Sequence, residues 1–143
     1  MKIATWNVNS LKVRLAQVLE FLAAEAPDVL CLQETKSEDV NFPAAVLTAA
    51  GYQPVYSGQK TYNGVALLCR ATPKNVSVGI PDFADPQKRV IAGTVSGVRV
   101  ICVYIPNGES VESDKYKYKL DWLVRLNARS EEHTSELQSR TLI

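Results

Sequence analysis

Residues 2–7 alternate weakly between polar and apolar and predict a first strand that ends at Asn7. Ser10 is placed to cap a helix, because a hydroxyl there can accept from a free N–H of the first turn. Leu11, Leu15, Val18, Leu19 and Leu22 then recur at i, i+4, i+7, i+8 and i+11, the apolar stripe of an amphipathic helix. Pro27 stops it. The run Asp28–Leu32 is continuously apolar after its first residue, as expected of a strand buried on both faces. The chain therefore opens with a β-α-β unit.

A short helix is expected around Pro43–Ala50, closed by Gly51. Strand patterns follow at Tyr52–Ser57, Gly64–Arg70, Asn75–Ile80, Arg89–Val95 and Arg99–Tyr104, with Gly97 in a tight turn between the last two. A final helix is expected over Ser113–Asn127, with Tyr116, Leu120, Leu123 and Val124 on its apolar face and Lys117–Asp121 on the other. Many strands with few helices predict an α/β sandwich with mixed sheets. A doubly wound nucleotide-binding fold is excluded, since Asn7-Val8-Asn9-Ser10 after the first strand is not a glycine-rich phosphate loop.

Composition adds bounds. The 143 residues suffice for one modest domain. A hydrophobic fraction of 46% and a charged fraction of 22% are those of an ordinary globular protein. A net charge of +1 gives no global basic field, though one basic face can be offset elsewhere. Cys31, Cys69 and Cys102 lie in strand-like runs without metal-type spacing, and read as buried thiols in a reducing compartment. No apolar run reaches membrane-spanning length, and no signal-like segment follows Met1, so the expected location is cytoplasmic.

From Arg129 the character changes. Residues 129–139 match, residue for residue, an in-frame translation of a common sequencing adapter, so residues 129–143 are expected to be a non-native tail on a body of residues 1–128. The single histidine, His133, then carries no functional weight. The body holds fourteen basic and twelve acidic residues, a net charge of +2.

Candidate chemistry clusters just after strand-like runs. Glu34, in Gln33-Glu34-Thr35-Lys36, is a carboxylate delivered where a buried strand ends. A hard cation such as Mg²⁺ needs only one or two such oxygens and keeps several waters. Taken by itself, Glu34 reads equally as a solvated loop acid, and Asn7 as a turn or cap residue. Tyr104 and Asn107 could donate to an oxyanion gathering charge. Their plainer readings are a half-buried strand-end ring and the turn sequence Pro-Asn-Gly. Lys12, Lys36, Lys60 and Tyr62 each lie close after a strand or in a loop, where a lysine can neutralise a backbone phosphate, or simply be solvated. The run Lys115–Lys119 divides more simply into a core tyrosine and a solvated lysine face than into a DNA patch.

Thr5-Trp6-Asn7-Val8-Asn9-Ser10-Leu11, Leu32-Gln33-Glu34-Thr35-Lys36, Tyr62-Asn63-Gly64-Val65-Ala66 and Tyr104-Ile105-Pro106-Asn107-Gly108 occur in order and in register, without gaps, between Met1 and Ala128. This succession resembles the exonuclease III family, the apurinic/apyrimidinic endonucleases of the endonuclease/exonuclease/phosphatase superfamily. The resemblance implies the N-terminal portion of a four-layer, DNase I-like α/β sandwich with mixed sheets, truncated before much of the second sheet. It implies a DNA-repair phosphodiesterase that cuts at abasic sites and degrades 3′ ends, using Mg²⁺ with Mn²⁺ as a substitute. Its partner would be double-stranded DNA carrying abasic sites or 3′ ends, bound by a monomer away from membranes. By the same resemblance Glu34 holds the metal with Asn7 beside it, Tyr104 and Asn107 face the scissile phosphate, and Lys12, Lys36, Lys60 and Tyr62 touch DNA. Arg89 resembles a family arginine, in contact with either DNA or a structural carboxylate.

The family's later motifs, a Gly-Asp-Phe-Asn type and a Ser-Asp-His type, do not occur, so the 143-residue chain is expected to be inactive and to leave a large apolar face uncovered. Two alternatives stand beside this. One is another phosphodiesterase or phosphatase of the superfamily, acting on RNA, inositol phosphates or lipid head groups. The other is a non-catalytic DNA-binding fragment.

Overall fold

The computed structural model describes the backbone of residues 1–136 and 140–142 and the side chains of residues 1–128. Strand β1 (Ile3–Asn7) leads through Ser10 into α1 (Leu11–Glu25), and β2 (Val29–Gln33) returns parallel to β1. The Ser10 hydroxyl accepts from the Val13 N–H, the expected cap. Helix α1 ends at Ala26, which takes a left-handed conformation because the following Pro27 disfavours a helical one. A short turn at Asp39–Asn41 and α2 (Ala44–Ala49) then lead to the antiparallel strands β3 (Gln53–Ser57) and β4 (Val65–Cys69). The first sheet has the order β1-β2-β4-β3.

The second sheet has the order β5-β6-β7-β8, from β5 (Lys74–Val78), β6 (Val90–Val95), β7 (Val98–Val103) and β8 (Arg140–Leu142), with α3 (Asp114–Glu136) between the last two strands. β5, β6 and β7 are antiparallel neighbours, and β8 joins β7 in parallel. The turn between β6 and β7 has positive φ at both Ser96 and Gly97, as a two-residue hairpin requires.

Strand alternation sorts the side chains into three apolar layers. Leu30, Leu32, Ala66 and Leu68 face outward onto Leu11, Val18 and Leu22 of α1 and onto Leu47 of α2. Val29, Cys31, Val65, Leu67 and Cys69 face inward onto Ile91, Val95, Val100 and Cys102 of the second sheet. The far face of that sheet, with Val90, Ala92, Ile101 and Val103, is covered by Trp122 and Leu126 of α3. The result is the expected four-layer α/β sandwich, helix–sheet–sheet–helix. β2 and β4 are buried along their whole length, each large side chain contributing about 1.5–3 kcal/mol. All three cysteines are buried free thiols, as expected. Among the described residues no helix is long and apolar enough to cross a membrane.

Three expectations need correction. The inter-sheet face is covered, its residues being at most 1% exposed, because the second sheet supplies its own inward-facing row. Helix α3 is also turned from the expected orientation: Tyr118, Trp122 and Leu126 point inward, while Leu120 and Val124 are 46% and 68% exposed. Two apolar stripes compete on this helix, and the one carrying the tryptophan removes more apolar area from water. Asp121 accordingly meets Arg125 at 3.6 Å, and Lys117 meets Asp114 at 4.0 Å. Finally, α3 runs to Glu136, beyond the expected end at Asn127. The side chain of His133 lies outside the described residues.

Candidate active site

β1, β2 and β7 end along one edge of the sandwich, at Asn7, Gln33 and Val103. Buried Gln33 ties the three together: its amide donates to the Thr5 hydroxyl (2.9 Å) and to Cys102 Sγ (3.4 Å). The Cys102 thiol donates in turn to the Leu32 carbonyl at 3.4 Å. Immediately beyond lie Glu34, from the first sheet, and Tyr104, from the second.

The loop after β2 is conformationally strained. Glu34 and Lys36 have positive φ, as do Asn9 and Ser10 across from them and Thr61 and Asn63 in the loop alongside. Each such residue costs about 1–3 kcal/mol and persists only where surrounding bonds impose it. Here those bonds are identifiable. Ser10 and Leu11 N–H donate to the carbonyls of Glu34 and Thr35, while Thr35 and Lys36 N–H donate to those of Gly64 and Asn63. The two loops approach so closely that a Cβ on Gly64, at φ +98°, would lie 2.1 Å from Thr35 Oγ1. A Cβ on Gly58 would lie 2.0 Å from the Ser37 carbonyl oxygen.

At this edge the Asn7 amide donates to Glu34 Oε1 at 2.9 Å, and Lys36 Nζ stands 3.6 Å from Glu34 Oε2. The Tyr104 hydroxyl is close enough to the same carboxylate to shift its titration. Burial pushes the Glu34 carboxyl up, but the Asn7 amide, the Tyr104 hydroxyl and the Lys36 ammonium together outweigh it and hold it below the ordinary range. Tyr104 is displaced oppositely: burial raises its phenol, and the Glu34 carboxylate raises it further against the pull of Arg89. Glu34 is thus an anion and Tyr104 a protonated donor. Asn7 Oδ1 accepts from the Asn9 N–H in a turn, the plainer reading of its sequence, while its Nδ2 donates to Glu34.

Among the described residues no group of three or more His, Cys, Asp or Glu converges. The chemistry of the donor set still fits Mg²⁺, which keeps most of its waters and needs few protein oxygens. Glu34 would be the anionic ligand. Asn7, its amide oxygen occupied by the turn, would orient that ligand.

Lys36 also lines a trough of about 590 Å³, together with Lys12, Lys60, Glu38 and Asn41. Three of the four expected DNA-contacting residues therefore converge. Lys36 is partly committed, since its ammonium donates to Asn9 Oδ1 at 2.6 Å. Tyr62 is 68% exposed, on the same loop as Lys60, and does not line the trough. A separate cavity of about 210 Å³ is lined by Tyr104, Asn107, Arg89 and Lys115, among others. Asn107 is exposed there, and its Oδ1 accepts from the Glu109 N–H at 2.9 Å, the turn chemistry of its sequence.

Among the described residues Arg89 meets no carboxylate. Its Nε donates to Gln87 Oε1 (2.8 Å), one terminal nitrogen donates to the Tyr104 carbonyl (3.1 Å), and its guanidinium carbon lies 4.8 Å from the Tyr104 ring centroid. Tyr118, whose hydroxyl donates to Asp85, closes the far side at 5.8 Å. Sequence reasoning had set Tyr118 aside. Its signal was the spacing i, i+4, i+8 with Trp122 and Leu126. Gln33 and Asn9 were within quoted motifs, but nothing in the sequence says that they tie the strand ends together.

The endonuclease/exonuclease/phosphatase family matches residues 4–136. Exodeoxyribonuclease III of Haemophilus influenzae is 38% identical over 115 residues, which are 77% of this chain and 43% of that protein. The 3′-5′ exonuclease NExo of Neisseria meningitidis superposes with a TM-score of 0.97 at 52% identity, over 99% of this chain and 56% of that one. An AP endonuclease from Archaeoglobus fulgidus gives 0.89 at 42% identity, over 92% and 51%. The chain spans about half the length of the relatives it matches.

Proposed function

The chain belongs to the endonuclease/exonuclease/phosphatase family, and from that premise we propose that the whole protein is a DNA-repair phosphodiesterase of the exonuclease III type. It cuts duplex DNA at abasic sites and degrades 3′ ends, with Mg²⁺ as the cofactor and Mn²⁺ as a substitute. The observation that carries the reading is the Glu34 carboxylate, held anionic between Asn7, Tyr104 and Lys36 at the joint edge of two sheets. The names of the relatives, an exodeoxyribonuclease and an AP endonuclease, support DNA as the substrate. A further Neisseria structure, a 3′ phosphatase bound to a product DNA hairpin, superposes with a TM-score of 0.98.

In this reading Lys12 and Lys60 seat the backbone by neutralising phosphates in the trough. Asn7 aims the Glu34 carboxylate. Tyr104 offers its phenolic proton as a hydrogen bond to a phosphoryl oxygen that gains charge as the bond breaks, and Asn107 adds an amide donor beside it. A bound divalent ion, with Glu34 as its ligand, supplies further charge stabilisation at phosphorus. The protein works as a monomer in the cytoplasm.

The 143-residue chain alone should not turn over, since the Gly-Asp-Phe-Asn and Ser-Asp-His type motifs do not occur in it and no group of three or more His, Cys, Asp or Glu converges among its described residues. Residues 129–143 are proposed to be foreign to the natural chain; source codons different from the adapter's would refute that. The functional test is expression of the uninterrupted reading frame past codon 128. Mg²⁺-dependent incision of an abasic duplex is expected, and an intact duplex at all metal concentrations would overturn the assignment.

A further inference from the structure

Resting on that reading, we infer that Arg89 is a positioning residue for Tyr104, and that it does not serve as a ligand for DNA phosphate. Arg89 is the residue before β6, and two strands, β6 and β7, separate it along the chain from α3, the helix that helps to hold it. Two of the five N–H donors of Arg89 are directed within the protein, Nε–H to Gln87 Oε1 at 2.8 Å and a terminal N–H to the Tyr104 carbonyl at 3.1 Å. The Tyr104 N–H donates back to the Arg89 carbonyl at 2.8 Å, so the two residues are joined by their backbones as well. The guanidinium carbon lies 4.8 Å from the centroid of the Tyr104 ring and 5.8 Å from that of Tyr118. Tyr118 is fixed in turn by Asp85 and by its place on α3, beside Trp122 in the third apolar layer.

The chain of contacts runs from α3 through Tyr118 and Arg89 to Tyr104, and from Tyr104 to Glu34. Arg89 lies over the Tyr104 ring, its guanidinium carbon 4.8 Å from the centroid, and holds it in place. A planar, five-donor cation suits this task, because it stacks on aromatic faces while its edge bonds carbonyl and amide oxygens. A lysine keeps the charge but cannot stack and fork at once. A misplacement of about 1 Å is enough to cost a reaction about a hundredfold, so the contribution falls on kcat and not on affinity.

The first test uses the 143-residue chain labelled with ¹³C-tyrosine. Arg89→Gln and Arg89→Lys should both move the Tyr104 ring signals, while those of Tyr56, stacked on Phe42 in the far layer, stay in place. Unmoved Tyr104 signals would overturn the inference, and so would a lysine variant indistinguishable from wild type. The second test uses the whole protein on abasic duplex. Arg89→Gln should lower kcat about tenfold to a hundredfold, with KM within about twofold and the salt slope of DNA binding unchanged. A phosphate ligand would instead lose about 0.9 from that slope and raise KM, which would also overturn the inference. If the wild-type protein itself fails to cut, the proposed function falls, and the tyrosine signals alone decide the role of Arg89.

Discussion

Three donors from three elements converge on Glu34: Asn7 at the end of β1, Lys36 in the loop after β2, and Tyr104 after β7. Replacing Glu34 by glutamine removes the anion while keeping the shape, and should lower metal-dependent cutting by the whole protein at least about a hundredfold. Cutting within about threefold of wild type would remove Glu34 from the proposed site. The same residue predicts a pH effect. Its folded pKa lies below the ordinary value of 4.5, so its contribution to stability is present above that value and is lost as pH falls through the depressed one. Urea midpoints of wild type and Glu34→Gln should therefore differ more at neutral pH than in acid. A difference that does not change with pH would mean the carboxylate is not held by these donors. The sequence presented Glu34, Asn7, Tyr104 and Asn107 as candidates, because each stands just after a strand-like run. It could not present Arg89 as their support, because that role depends on two rings, 15 and 29 positions further along, meeting one guanidinium in space.

Elements were legible in proportion to how one-sided their patterns are. The β-α-β opening carries one apolar stripe, a capping serine and a proline stop, and the structure places all of them as expected. Helix α3 carries two stripes, and propensity does not choose between them; docking on the second sheet does, through Trp122. The consequence is measurable. Trp122→Ala should cost about 3–5 kcal/mol in denaturant unfolding, and Leu120→Ala no more than about 0.5 kcal/mol. Equal losses would restore the orientation expected from the sequence. The loops were harder still, because their shape is set by contacts between segments some thirty residues apart. Gly64→Ala tests that zipper. A left-handed L-residue and a clash with Thr35 together should cost about 2–5 kcal/mol, whereas a neutral substitution would mean that the loops 34–37 and 58–64 do not hold each other.

For the molecule as a whole, a net charge of +1 conceals a local concentration of lysines in one trough. If duplex DNA lies there, Lys12→Ala and Lys60→Ala should each reduce the slope of log affinity against log salt by about 0.9. A slope unchanged in both variants would move the DNA elsewhere. The tie between Gln33, Cys102 and Leu32 has a different reach, because it bonds one sheet to the other directly beneath Glu34 and Tyr104. The two halves of the reactive edge are thus carried on separate plates, aligned by the apolar layer between them and by a thiol and an amide, with no disulfide among the described residues. Gentle warming that lets the plates shear should silence cutting while far-ultraviolet dichroism still reports native strands, and a bulkier side chain at Cys102 should lower the temperature at which the two signals part. Loss of both signals together would mean that the plates move as one.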